Sequence, residues 1–190
     1  MSVWRLGLFM LVPLGACGNP PTESVDDIEQ TYLFEVEHVN FAWGLTWRGL
    51  VIDRDGNINA YDHGHEVWDL AANDFYTEAE LEDKYEHGAR YVARIDEATV
   101  VQQYNKLLGI AEQLSAPQYP CADAGAFTYR AFVYESTTRR YRPILLRQEG
   151  DVALENTAGE AEALAGWLRN LVSALDDAGI EPFDEGFCTP

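Results

Sequence analysis

The chain has 190 residues with 32 acidic against 13 basic side chains, a formal net charge of −19 at pH 7 with His neutral. So acidic a surface is repelled by nucleic-acid phosphates and by anionic headgroups, which argues against both as electrostatic partners. Hydrophobic residues make up 47%, enough to fill one core in a chain of single-domain length.

The chain opens with a short leader, Met1 to Arg5, and an apolar run, Leu6 to Leu14. This run is too short to span a bilayer as a helix but has the form of an export signal. It ends in Leu14-Gly15-Ala16-Cys17, which resembles the lipobox of bacterial lipoproteins; the resemblance covers only this N-terminal part. It implies cleavage before Cys17, acylation of the thiol and of the new amino group (palmitate among the acyl groups), and a cell-envelope protein moored by lipid. Gly18 rather than Asp follows, which in a bacterium with two membranes implies the outer membrane. The alternative is an ordinary secretory signal. Cysteine arithmetic disfavours it: assigning Cys17 to lipid leaves the even pair Cys121 and Cys188 for a disulfide in an oxidising compartment. Closing that long loop contributes about 4 kcal/mol in the chain-entropy model; two buried free thiols are the other possibility. The expected organisation is a signal peptide over 1–16, an acidic, Pro-containing tether over 17–28, and a globular domain over 29–190.

From Tyr32 the chain alternates in strand fashion, with Val39, Phe41, Trp43, Leu45, Trp47 and Val51 on one parity. Gly44 and Gly49 mark a bend or bulge, so two strands are expected. Asp53-Arg54-Asp55-Gly56-Asn57 is a turn leading into Ile58–Tyr61, which makes a hairpin. Thr77 and Glu80 form a capping-box pattern for a short helix closed by Gly88. Arg90–Ile95 reads as a strand and Asp96 as an N-cap. Val100, Val101, Tyr104, Leu107, Leu108, Ala111 and Leu114 form the stripe of an amphipathic helix that Pro117 and Pro120 cannot continue. Phe127–Glu135 and Tyr141–Arg147 form a second hairpin, with Pro143 placing the returning strand at an edge. Thr157 and Glu160 suggest another capping box. Ala161, Leu164, Ala165, Leu168, Leu171, Val172 and Leu175 are the last stripe, ended by Gly179. The expected fold is α+β, a single domain. Its sheet is largely antiparallel, with two long amphipathic helices on one face plus one short helix.

Few residues suggest chemistry. The Asp53–Asn57 run opens like a calcium loop, but Ile58 and Gly64 stand where the tight-turn Gly and the bidentate Glu belong. His63 and His65, at strand spacing beside Asp62 and Glu66, have the parity to share a metal; an exposed loop is the plainer expectation. No nucleophile elbow or phosphate-binding glycine loop is present. Arg139, Arg140 and Arg142 stand out on an acidic background, either as a patch for an acidic protein or anionic glycan or as charges that blunt a sheet edge. Trp43 and Trp47 read as core rather than as a sugar platform. The functional expectation is a lipid-anchored, non-catalytic binding module of the envelope with no assigned cofactor or catalytic residue; the alternative is a metal-dependent hydrolase using His63 and His65.

Overall fold

Alternating bulky residues from Tyr32 onward build β1 (Tyr32–Asn40), the central strand of a sheet in the computed structural model, which describes residues 21–42, 45–64 and 75–175. The chain turns back into β2 (Thr46–Asp53) and β3 (Asn57–Asp62), then runs through α1 (Glu78–Glu86) into β4 (Arg90–Arg94) and α2 (Glu97–Leu107). The second hairpin, β5 (Ala126–Glu135) and β6 (Arg140–Gly150), precedes the two-residue β7 (Leu154–Glu155) and α3 (Ala161–Ser173). The seven strands lie in the order β4-β3-β2-β1-β5-β6-β7, and every pair is antiparallel. The α+β expectation and the two hairpins hold. No helix among the described residues is long and apolar enough to cross a membrane.

Both faces of the sheet are covered, which is why Leu33 to Glu37 of β1 are all buried regardless of parity. On one face, Phe34, Val36, Leu50, Ile52, Tyr129 and Ile144 pack with Val100 and Leu107 of α2 and with Leu164, Ala165 and Leu168 of α3. On the other, Trp47, Val51, Tyr61, Phe132 and Tyr141 meet Leu81 and Tyr85 of α1 in a smaller aromatic cluster. Phe41 and Leu45, expected inside by parity, are 51% and 41% exposed because the chain leaves the sheet between β1 and β2. Trp43 and Gly44 lie outside the described residues.

Turn and cap chemistry behaves as the residues suggest at most boundaries. At the β2–β3 turn, Asp53 accepts from the Asn57 backbone and side-chain amides, both at 2.9 Å, and Gly56 takes φ +82°. Thr77 and Glu80 complete the expected capping box, the Glu80 carboxylate accepting from the Thr77 amide at 2.6 Å and the Thr77 hydroxyl from the Glu80 amide at 3.2 Å. Asp96 caps α2 by accepting from the Thr99 amide at 3.0 Å. Pro143 sits opposite Phe132 on β6. The Tyr141 amide, two residues earlier, points away from β5 to the Tyr76 carbonyl. By the antiparallel alternation the missing Pro143 donor therefore also faces away from β5, and that ladder loses nothing.

Four expectations change. The helices are graded at 9, 11 and 13 residues rather than two long and one short. Helix α2 stops at Leu107, and Ala111 and Leu114 are exposed. Beyond Gly109 the chain is drawn into bridges with the segment before α3: the Ser115 amide donates to the Glu155 carbonyl and the Gln118 amide to that of Ala153. Thr157 and Glu160 form no capping box. The Thr157 hydroxyl donates instead to the Gln113 carbonyl, and Glu160 caps α3 without a side-chain bond. Finally, the stretch expected to serve as a tether is docked from Thr22 onward. Its backbone exchanges hydrogen bonds with the Asn105 side chain at 2.7 and 2.8 Å, Ser24 caps a 3-10 turn at Val25–Asp27, and Ile28 is fully buried.

The apolar stripe of α3 is the largest helical contribution to the core. Leu168→Ala, at a fully buried position, is expected to cost about 2–5 kcal/mol, measured as a lowered urea midpoint with an unchanged denaturant slope.

Candidate functional site

Glu35 and Glu37 stand two apart on β1, so both carboxylates project from the α1 side of the sheet into the aromatic cluster. Arg130 lies directly opposite Glu35 on β5, and its Nη1 reaches Glu35 Oε2 at 2.8 Å and Glu37 Oε1 at 2.6 Å. From the other side α1 lowers Lys84, whose Nζ is 2.6 Å from Glu35 Oε1 and 2.8 Å from Glu37 Oε2. The Tyr61 hydroxyl donates to Glu35 at 2.7 Å, the Tyr85 hydroxyl to Glu35 at 3.2 Å, and the Trp47 indole to Glu37 at 2.8 Å. All four carboxylate oxygens are thus engaged, and two cations balance two anions. The Lys84 ammonium also lies 5.5 Å from the Tyr61 ring centre and 5.6 Å from that of Tyr85.

Gly49 makes this packing possible. It pairs with Glu37 on one side and Tyr61 on the other, and a Cβ there would lie 2.2 Å from the Tyr61 ring. The expected bend is therefore absent: Gly49 is a regular position of β2 kept bare so that Tyr61 can lie across the strand toward the carboxylates.

Burial by itself would raise the Glu37 carboxyl, but the Lys84 ammonium and Arg130 guanidinium overcome it and hold it far below the usual carboxylate range. Burial would lower Lys84; Glu35 and Glu37 reverse the sign and raise it. Burial and the two carboxylates together push the Tyr61 and Tyr85 hydroxyls well above their ordinary value. At neutral pH Glu37 is therefore a fixed anion, Lys84 a fixed cation and the tyrosines fixed donors, an arrangement built to hold a structure rather than to exchange protons.

The sequence reading missed this cluster. Its signal was two acids at strand spacing, Glu35 and Glu37, inside an otherwise apolar run, together with Lys84 as the only cation of an acidic helix.

His63 borders the cluster. Expected in an exposed loop, it is 5% exposed, its ring 5.3 Å from that of Trp47, 5.6 Å from Tyr61 and 5.0 Å from His87. Burial, with the nearby His87 and Lys84, lowers its pKa. His65 lies outside the described residues. Among the described residues no group of three or more His, Cys, Asp or Glu side chains is placed to hold a metal ion. His38 stacks on Phe127 at 3.9 Å and is lowered chiefly by burial.

Arg139 and Arg140 are exposed at the tip of the β5–β6 hairpin, whereas Arg142 is half-buried and 3.6 Å from Glu135. Beside that tip, a cleft of about 570 Å³ lies between the N-terminal segment and α2, lined by Glu23, Asp27, Glu29, Tyr104, Tyr134 and Ser136 among others. Trp47 is core, as expected. Cys121 is half-buried against the larger core; Cys17 and Cys188 lie outside the described residues. No family model, no curated protein and no solved structure matches the chain.

Lys84→Met leaves two buried carboxylates with one guanidinium and is expected to cost about 3–5 kcal/mol in urea unfolding. Replacing Glu35, Glu37, Lys84 and Arg130 together by apolar residues of similar volume is expected to cost clearly less than the sum of the single changes, because no charge is left stranded.

Stability is also expected to fall in acid in two stages. Glu37 has a depressed folded pKa, so its contribution is complete above the ordinary carboxylate pKa of about 4.3 and is lost as pH falls toward its folded value. His63, also depressed, binds its proton more readily unfolded, so stability already declines below about pH 6.5. His38, lowered by burial as well, contributes to the same upper stage, so His63→Phe should make that stage shallower without removing it and leave the lower stage unchanged, in urea titrations repeated across pH 4 to 8.

Proposed function

We propose that this protein is a lipid-anchored, non-catalytic binding module of the cell envelope, acylated at Cys17 and joined to its membrane by residues 18–21. The leader and Leu14-Gly15-Ala16-Cys17 support the anchor. The domain's charged centre supports the non-catalytic reading, since its four ionic groups are spent on one another. The observation that carries the binding role is a cleft wide enough for a peptide or sugar segment, abutting a hairpin tip that bears Arg139 and Arg140. The cleft presents carboxylates and tyrosine rings, and the tip presents guanidinium forks. A partner with an anionic group for the tip and a cationic or hydroxyl-rich group for the cleft fits both, as an envelope protein or a glycan does.

In this reading Cys121 and Cys188 form the bridge that ties the C-terminus to the segment before β5. The anchor, if the organism has two membranes, sits in the outer one.

Two experiments test the reading. Mass spectrometry of protein from the membrane fraction should find an N-terminal acylated Cys17, and Cys17→Ala should move the protein to the soluble fraction; an unmodified residue 17 defeats the anchor. Against a defined panel of envelope glycans and copurifying envelope proteins, Arg139→Ala with Arg140→Ala, which removes the exposed tip charges and leaves the Arg142–Glu135 pair intact, should weaken capture by roughly tenfold or more, with the thermal midpoint little changed. Undiminished capture removes the hairpin from the interface.

A further inference from the structure

The His63 Nε2 atom is buried and has no hydrogen-bond partner. Such a group is costly to leave unpaired, and in a native structure it calls for an explanation such as an ion. Its nearest ring neighbour with ligating atoms is His87, 5.0 Å away between ring centres and tilted by 38°. The two are held in place by backbone rather than by chance side-chain packing. The Asp62 amide donates to the His87 carbonyl at 2.9 Å and the His63 amide to that of Trp47 at 2.8 Å, which clamps the end of β3 against the C-cap of α1.

That spacing has a chemical meaning. With Zn–N bonds of about 2.0–2.1 Å and the ring centre about 1.1 Å behind each nitrogen, two imidazoles sharing one tetrahedral ion have centres about 5 Å apart. Lys84 acts at His63 against a cation, but it is paired with Glu35 and Glu37 within the cluster, and Glu37 and Asp62 act in the opposite sense.

We propose that His63 and His87 form a two-imidazole site for a borderline divalent cation of the zinc class, with its remaining positions open to water or to a ligand. His87, half-buried, provides the accessible side and His63 the enclosed one. This goes beyond the envelope-binding reading and does not depend on it: acylation, hairpin capture and metal binding have separate readouts.

The test is calorimetric titration of the metal-stripped full chain with zinc sulfate, alongside cobalt(II) chloride followed by visible absorption. The expected result is one equivalent bound in the micromolar range, a cobalt spectrum with tetrahedral bands, and at least roughly tenfold weaker binding in His87→Ala with the metal-free thermal midpoint unchanged. His87 is chosen because it is only half-buried, so its removal tests the site without emptying the core; His63→Gln serves as the second variant and should abolish the cobalt bands. No binding up to millimolar zinc overturns the proposal. So does equal affinity in His87→Ala, and so does binding that His65→Ala abolishes while His87→Ala leaves it intact.

Discussion

Two carboxylates buried side by side on one strand cannot persist unless two cations are brought to them, and the aromatic half of this structure is arranged around that requirement. Glu35 and Glu37 are each under 4% exposed, so their mutual repulsion is barely screened by water. Arg130 arrives through the register of β5 against β1, and Lys84 through the docking of α1. Helix α1 therefore has two reasons to lie where it does: Leu81 and Tyr85 bury apolar surface, and Lys84 completes a charge balance. The first is non-directional and tolerates sliding. The second fixes the helix, because a shift of one residue along it would swing the ammonium away from both carboxylates.

The two faces of the sheet thus solve the same problem by different physics. Under α2 and α3 the core is aliphatic, with Leu164, Ala165 and Leu168 at the contact, and its strength scales with area. Under α1 it is aromatic and ionic, with Trp47, Tyr61 and Tyr85 each offering a polar tip to a carboxylate while their rings fill space. Replacing an ion network by apolar residues is often neutral or stabilising, so the benefit of the ionic face lies in specificity of position more than in strength. Gly49, stripped of a side chain so that Tyr61 can cross β2, shows how far the local sequence is adapted to that network.

Much of the scaffold was legible because its signals are local. The Asp53–Asn57 turn and the Thr77–Glu80 box formed as their residues dictate, and so did the last stripe as far as Val172; α3 ends at Ser173, short of Leu175, and Gly179 lies outside the described residues. What failed was non-local. Helix α2 stops at Leu107 because residues near Ser115 are taken by Glu155, forty positions on, which no periodicity reveals. Parity misplaced Phe41 and Leu45 because it cannot say where a strand leaves the sheet. The charge cluster was half hidden for the same reason: Glu35 and Glu37 stand out locally, but nothing local says that Arg130 and Lys84, nearly a hundred and about fifty positions away, converge on them. His63 and His87 likewise meet only because α1 returns its C-terminus to the end of β3.

The distribution of cations closes the argument about charge. A chain with 13 basic against 32 acidic side chains places Lys84 and Arg130 in its interior network, and sets Arg147 and Arg169 against Glu149. Because Lys84 and Arg130 are matched inside by Glu35 and Glu37, the network leaves the outer surface with the full acidic excess of the sequence, and its positive character is confined to a few places such as the β5–β6 tip. Surface carboxylate repulsion is screened within about 8 Å at physiological salt, whereas Glu35, Glu37 and Lys84 are buried among aromatic rings and only Arg130 is partly open to solvent. The fold therefore places its ionic lock where salt screens it less than it screens the exterior.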